Sequence, residues 1–184
     1  MSIILAAAVT IVSLAALLQH GWAYRGHFVS ETMPPGALLL TLVVVAMASA
    51  ELWALWTGPQ WPPAMLAGLV LQLASLWLFW RAIAASRAAR LRLAFDPALP
   101  GGVVRDGPYR VVRHPFYTSY MLFWIGWSIA TWSIWSLPPL LVILAIYVFA
   151  ARGEEGRFAR SPFADEYAAY RRRVGMFWPR LSSK

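Results

Sequence analysis

The stretch that decides the fold is RHPFYTSYMLFWIGWSIATWSIWSLPPLLVILAIYVFAAR, which runs from Arg113 to Arg152. Between these two arginines the chain contains no charged residue. Pro138 and Pro139 break the stretch in two, because proline lacks the backbone N–H that a continuous helix uses. We therefore predict a hairpin of two apolar helices, over 116–131 and 137–151, of the kind found in membrane proteins.

The composition of the whole chain is that of an integral membrane protein. Of its 184 residues, 60% are hydrophobic and 13% are charged, whereas about a quarter are charged in soluble domains. The chain has no cysteine, which excludes disulfides and thiolate metal ligands, and no spacing of His, Asp and Glu completes a metal site. The net charge of +8 does not indicate nucleic-acid binding, because the arginines flank apolar segments, where they set topology and contact anionic lipids.

Three further apolar segments precede the hairpin, over 2–19, 35–56 and 62–83. Each is close to the roughly 20 residues that span a bilayer, whereas the segment 116–131 is shorter. The sequence therefore predicts an all-α fold, a polytopic transmembrane bundle of about five spans. We expect one integral membrane domain over 1–184, made of three N-terminal spans (1–83), a cytoplasmic loop (84–115), a helical hairpin (116–151) and a cytoplasmic C-terminal segment (152–184).

The placement of arginine predicts the orientation of this bundle. Seven arginines lie between 81 and 113, seven more follow residue 151, one lies in the loop 19–34, and the turns 57–61 and 131–137 have none. The positive-inside rule then places the N-terminus outside and the C-terminus in the cytoplasm. The arginine-rich, lysine-poor composition favours a bacterial inner membrane. Glu51 would lie toward the outer end, in an interfacial or packing role.

The C-terminal stretch SPFADEYAAYRRRVGMFWPRL, residues 161–181, predicts a short helix. Ser161 is suited to cap its N-terminus, with Pro162 at the first helical position. Gly175 is placed to end it. Phe163, Tyr167 and Tyr170 recur at helical spacing and form one aromatic face.

The basic edge of the hairpin is a candidate site. Pro115 disfavours helix at His114 and suits a first helical turn, so His114 and Tyr117 lie at a helix start on the cytoplasmic edge. Glu154 and Glu155 follow the second helix of the hairpin and should emerge at the same level. Carboxylates opposite an Arg-His edge can bind the cationic end of a ligand. The alternative is an interfacial anchor beside a solvated acidic pair that forms ion pairs with Arg152 and Arg157.

Several motifs in the right order resemble one family of membrane enzymes. They are GPYRVVRHPFY (107–117), a membrane hairpin, EE (154–155) and FADEYAAYRRRVGMFWP (163–179). Together they are similar to the isoprenylcysteine carboxyl methyltransferase and phospholipid methyltransferase superfamily, over about the last 80 residues. The glycine usual after R-H-P-x-Y-x in that family is Ser119 here.

The resemblance implies methyl transfer from S-adenosylmethionine in a cytoplasmic pocket closed by the C-terminal helix, with a lipophilic substrate entering from the bilayer. The acceptor would be an isoprenylcysteine-like carboxylate, a phospholipid amine or a small thiol. Arg113 or Arg152 would bind an anionic group of the substrate. For an amine or thiol acceptor, a glutamate such as Glu155, His114 or Tyr117 is a candidate base. By position, the cofactor-binding residues would be His114, Pro115, Tyr117, Tyr109, Glu154, Glu155, Tyr167 and Tyr170.

Two other functions fit the same residues. An NADPH-dependent membrane reductase of the sterol or steroid reductase type shares a similar R-H-x-x-Y segment, and the arginine-rich loops could serve the extra phosphate. A non-enzymatic membrane scaffold would use the basic loops to bind lipid.

Overall fold

A computed structural model describes residues 1–28, 33–89 and 91–180. Residues 29–32, part of the predicted loop 19–34, lie outside the described residues. Within the described ranges the chain contains no β-strand, which confirms the all-α prediction. The six α-helices are α1 (Ser2–Gly26), α2 (Pro35–Thr57), α3 (Pro62–Ser86), α4 (Pro115–Thr131), α5 (Leu137–Phe158) and α6 (Ala164–Arg173), with 3₁₀ turns at Gly107–Arg110 and Ile134–Ser136.

Four of the helices, α1, α2, α3 and α5, are long and apolar enough to cross a membrane. Their outward faces carry large exposed hydrophobic side chains, as helices in contact with lipid do. With 17 residues, α4 is shorter than these four, and most of its side chains are buried between its neighbours. The protein is therefore an integral membrane helical bundle in which α4 forms the centre.

Several helix boundaries differ from the predictions. The first helix continues seven residues beyond position 19, to Gly26. The hairpin's second helix continues to Phe158, so Glu154 and Glu155 lie on α5 rather than after it. The predicted helix ended where the first charged residues follow the apolar segment, since these mark the membrane edge. Charged residues do not end a helix, however. The last helix begins at Ala164, because the Ser161 hydroxyl accepts a hydrogen bond from the Phe163 amide (3.1 Å) in a turn before it.

The contact between α3 and α4 depends on two glycines. A Cβ atom on Gly68 would lie 2.2 Å from the Gly126 carbonyl oxygen, so only hydrogen fits there. Such close approach of two backbones is typical of helices that pack within membranes. Nearby, the Ser75 hydroxyl donates to the Ser119 carbonyl at 2.7 Å. Ser119 is fully buried. This serine, at the position where the resemblance implies glycine, therefore takes part in the packing of α4.

Glu51 is buried at the opposite end of the bundle from His114. Its side chain is 1% exposed. One carboxylate oxygen accepts a hydrogen bond from Ser128 at 2.7 Å and the other accepts one from Ser136 at 3.0 Å. Glu51 thus joins α2 to the end of α4 and to the turn that follows it. The hydroxyl groups satisfy the carboxylate within the bundle, as a packing role for Glu51 requires.

The C-terminal segment is held against the loop that precedes α4. The Arg113 amide donates to the Gly175 carbonyl at 2.8 Å, and the His114 amide donates to the Met176 carbonyl at 3.2 Å. The Tyr170 hydroxyl donates to the Tyr109 carbonyl at 2.6 Å. These bonds bring α6 to the start of α4, next to the end of α5.

Candidate functional site

A cavity of about 1070 Å³ lies within the bundle. It is bounded by α1, α2, α4, α5 and the loop between α3 and α4, and α6 covers one end. Its charged side chains gather at that covered end, around the start of α4 and the last turns of α5. They include His114, Glu154 and Arg157.

The other part of the cavity is apolar and reaches the surface that faces lipid. Leu18 on α1 and Val45 on α2 both line the cavity, and they are 75% and 59% exposed. The two helices touch each other at few points. One continuous space thus joins a charged end to an opening between α1 and α2.

Glu155 lies behind the charged end of the cavity, in a buried cluster. One of its oxygens accepts a hydrogen bond from Nε of Arg113 at 2.8 Å, lies 2.8 Å from Nη2 of the same guanidinium in an ion pair, and lies 3.2 Å from Nε2 of His114. Its other oxygen lies 3.5 Å from Nε of Arg171 on α6. Arg113 also donates to the carbonyls of Arg171 and Val174. The cluster therefore ties the start of α4, the end of α5 and α6 together.

Glu154 has a different environment, since its side chain faces the cavity and is 27% exposed. The Tyr117 hydroxyl donates to one of its oxygens. Its other oxygen lies 3.6 Å from Nδ1 of His114. Of the two neighbouring glutamates, Glu154 can thus contact a ligand in the cavity, whereas Glu155 is occupied by protein groups.

His114 lies between these two carboxylates and is 7% exposed. Burial alone would lower the pKa of His114, but hydrogen bonds and negative charge from Glu154 and Glu155 outweigh burial and raise that pKa above its ordinary value of 6.5. The neighbouring carboxylates therefore favour the imidazolium form, whose two N–H groups orient both glutamates.

Tyrosine side chains form the wall of the cavity beside this charged group. Tyr109, Tyr167 and Tyr170 all line it. The Tyr167 ring stacks on Phe158, with ring centres 4.2 Å apart and planes inclined by 7°. Burial raises the pKa of Tyr109, Tyr167 and Tyr170 above the ordinary value for tyrosine, so all three hydroxyls stay protonated. The wall offers neutral hydroxyls and flat apolar faces.

The structure brings most of the predicted site residues together. Glu155 contacts these residues from outside the cavity. Arg152 is exposed and is not among the residues that line the cavity. Arg157 lines the cavity one helical turn after Glu154, but no ligand role was predicted for it from the sequence. Its spacing of three residues from Glu154 would have placed both on one helical face, had the predicted helix not ended at Ala151. The predicted residues that line the cavity are Tyr109, Arg113, His114, Pro115, Tyr117, Glu154, Tyr167 and Tyr170.

Comparison with known proteins gives two matches. A family model described as phospholipid methyltransferase matches residues 63–166, more than half of the chain. A curated relative, the cobalt-zinc-cadmium resistance protein CzcN of Cupriavidus metallidurans, is 38% identical over 80 residues. That match covers 44% of this chain and 37% of the relative, so the chain corresponds to little more than a third of that protein's length.

Proposed function

The chain belongs to the phospholipid methyltransferase family, and from that premise we propose that it transfers a methyl group from S-adenosylmethionine to a lipophilic acceptor at the cytoplasmic face of a membrane. The coarser function, that of an integral membrane methyltransferase, follows from the family. The donor, the type of acceptor and the orientation are the proposal.

The observation that carries this proposal is the shape of the cavity. Its charged end suits a polar, charged cofactor from water, whereas its apolar end opens toward lipid between α1 and α2. A reaction between a water-soluble donor and a membrane-embedded acceptor needs both environments in one space. The charged end lies among the arginine-rich segments that the positive-inside rule assigns to the cytoplasm, which supports an N-terminus outside and a site open to the cytoplasm of a bacterial inner membrane.

The residues at the charged end fit S-adenosylmethionine. Glu154 presents a carboxylate that a ligand's ammonium group can contact. The flat faces and hydroxyls of Tyr109, Tyr167 and Tyr170 suit an adenine ring and a ribose. When bound, S-adenosylmethionine supplies a methyl group on a positively charged sulfur.

The protein's own contribution is mainly to hold two reactants in line, which removes much of the entropic barrier. In this proposal Arg113 is a positioning residue, because its guanidinium is engaged by Glu155 and by two carbonyls of the C-terminal segment. A carboxylate acceptor needs no base. If the acceptor is an amine or a thiol, a base must also take up its proton.

Equilibrium binding to the purified protein in lipid nanodiscs tests the proposal. We expect S-adenosylhomocysteine to bind, NADPH to bind weakly or not at all, and Glu154→Gln to weaken S-adenosylhomocysteine binding. Tight NADPH binding without S-adenosylhomocysteine binding would support the reductase instead. If neither compound binds, the result would favour the hypothesis of a non-enzymatic, lipid-binding scaffold. Transfer of labelled methyl to membrane extracts, with mass spectrometry of the product, then identifies the acceptor.

A further inference from the structure

Among the residues that the structure describes, three arginines line the cavity, and two of them have acidic partners. Nη1 of Arg92 lies 3.6 Å from Asp96. The guanidinium of Arg113 lies 2.8 Å from Glu155. Arg157, which is half-buried, forms no ion pair with any acidic residue in the part of the chain that the structure describes. It is thus the cavity arginine whose charge is available to a ligand.

The position of Arg157 on α5 relates it to Glu154. Residues three apart lie on the same face of a helix, and both side chains line the cavity. Nη1 of Arg157 lies 3.7 Å from the place that a Cβ atom on Gly153 would take, so the side chain lies back along the helix over that glycine. Tyr117, whose hydroxyl donates to Glu154, also lines the cavity. The two opposite charges therefore flank one region of the cavity without pairing with each other.

Such an arrangement complements a particular chemical group. An α-amino acid carries an ammonium and a carboxylate on the same carbon atom, and it can contact a carboxylate and a guanidinium that lie one helical turn apart. The planar guanidinium also matches a carboxylate with two parallel hydrogen bonds. A lipid phosphate would use the same guanidinium but would not explain the adjacent Glu154.

We propose that Arg157 binds the carboxylate of the cofactor's amino-acid end, while Glu154 binds its ammonium group. This inference rests on the proposed function and refines it. It gives Arg157 a role toward the cofactor, whereas the sequence suggested Arg113 or Arg152 for an anionic group of the acceptor, and it makes α5 the helix that holds the amino-acid end of the cofactor.

Calorimetry on the full chain in nanodiscs tests this assignment with two ligands, S-adenosylhomocysteine and its decarboxylated analogue. We expect Arg157→Met to weaken S-adenosylhomocysteine binding by about 10- to 100-fold, as loss of a charge-assisted contact does. Binding of the decarboxylated analogue should change by less than about twofold, because that analogue has no group for Arg157 to contact. Arg157→Lys keeps the charge but loses the planar guanidinium. Its affinity for S-adenosylhomocysteine should therefore lie between those of the wild type and Arg157→Met.

Arg160→Met is the matched control, because Arg160 is exposed, lies three residues further on and is not among the residues lining the cavity. It removes the same charge and should leave the binding of both ligands unchanged. Its thermal unfolding, measured beside that of Arg157→Met, shows whether either variant is misfolded.

The outcomes separate this inference from the proposed function. If the wild type binds S-adenosylhomocysteine and Arg157→Met binds it equally well, the inference is wrong and the proposed function stands. An equal loss for both ligands also overturns it, since that result indicates a structural effect. Dihexanoylphosphatidic acid, a short-chain lipid with a phosphate headgroup, is titrated in the same way. If Arg157→Met binds this lipid more weakly than the wild type does but binds S-adenosylhomocysteine equally well, Arg157 binds lipid phosphate instead. Failure of the wild type to bind S-adenosylhomocysteine removes both proposals.

Discussion

Arg113 donates from Nε to one oxygen of Glu155 at 2.8 Å, its Nη2 lies 2.8 Å from the same oxygen in an ion pair, and both side chains are 8% exposed. Removing one member of such a buried pair leaves the other charge without a partner. We expect Glu155→Gln to lower the free energy of unfolding by about 3 kcal/mol. Chemical or thermal unfolding in detergent, followed by circular dichroism, measures the change.

Glu154→Gln is the matched control for this substitution, because Glu154 is the neighbouring residue and its side chain is 27% exposed toward the cavity. It should lower stability by less than about 1 kcal/mol. Equal destabilisation by the two substitutions would show that Glu155 is not the structural member of the pair.

The environment of His114 predicts a pH dependence of stability. Glu154 and Glu155 raise the pKa of His114 above 6.5. The folded state therefore binds the proton on the His114 imidazole more tightly than the unfolded state does. The resulting stabilisation is fully present below pH 6.5 and is lost as the pH rises through the higher pKa of the folded state. The difference in unfolding free energy between wild type and His114→Gln should therefore shrink as the pH rises above 6.5. A difference that grows with pH would contradict the predicted direction.

The hydrogen bond from Tyr170 to the Tyr109 carbonyl, 2.6 Å long, predicts how firmly α6 is held. Tyr170→Phe removes only the hydroxyl and should cost about 1 kcal/mol. Local opening of α6 would then be about fivefold more frequent. Limited trypsin digestion measures this opening, because Arg171, Arg172 and Arg173 provide cleavage sites on the helix. An unchanged cleavage rate would show that the bond does not limit opening.

The close approach of α3 and α4 predicts a steric effect at Gly68. In Gly68→Ala, the new methyl group would lie 2.2 Å from the Gly126 carbonyl oxygen. The helices must then separate, at a cost of about 1–3 kcal/mol or more. Gly156→Ala is the control, since nothing lies within 4 Å of a Cβ at this position on α5. It should be neutral or slightly stabilising, as alanine is a better helix former than glycine. Thermal unfolding of both variants provides the comparison.

Much of the bundle could be predicted from local features of the sequence. The charge-free stretch between Arg113 and Arg152, interrupted by Pro138 and Pro139, was enough to place α4 and α5. The position of Glu51 on its helix did not reveal its burial, because its partners Ser128 and Ser136 are distant in sequence.

By itself, the sequence determined which segments are apolar helices, which ends of them carry arginine, and that His114, Tyr117 and a glutamate pair meet at one edge. These features follow from composition and helical spacing, which act locally. Only the tertiary structure decided that Glu154 faces the cavity while Glu155 is held by Arg113. The physical reason is that successive residues point about 100° apart on a helix, so neighbours of the same chemistry take different roles once α5 continues past Ala151 and its faces meet different partners.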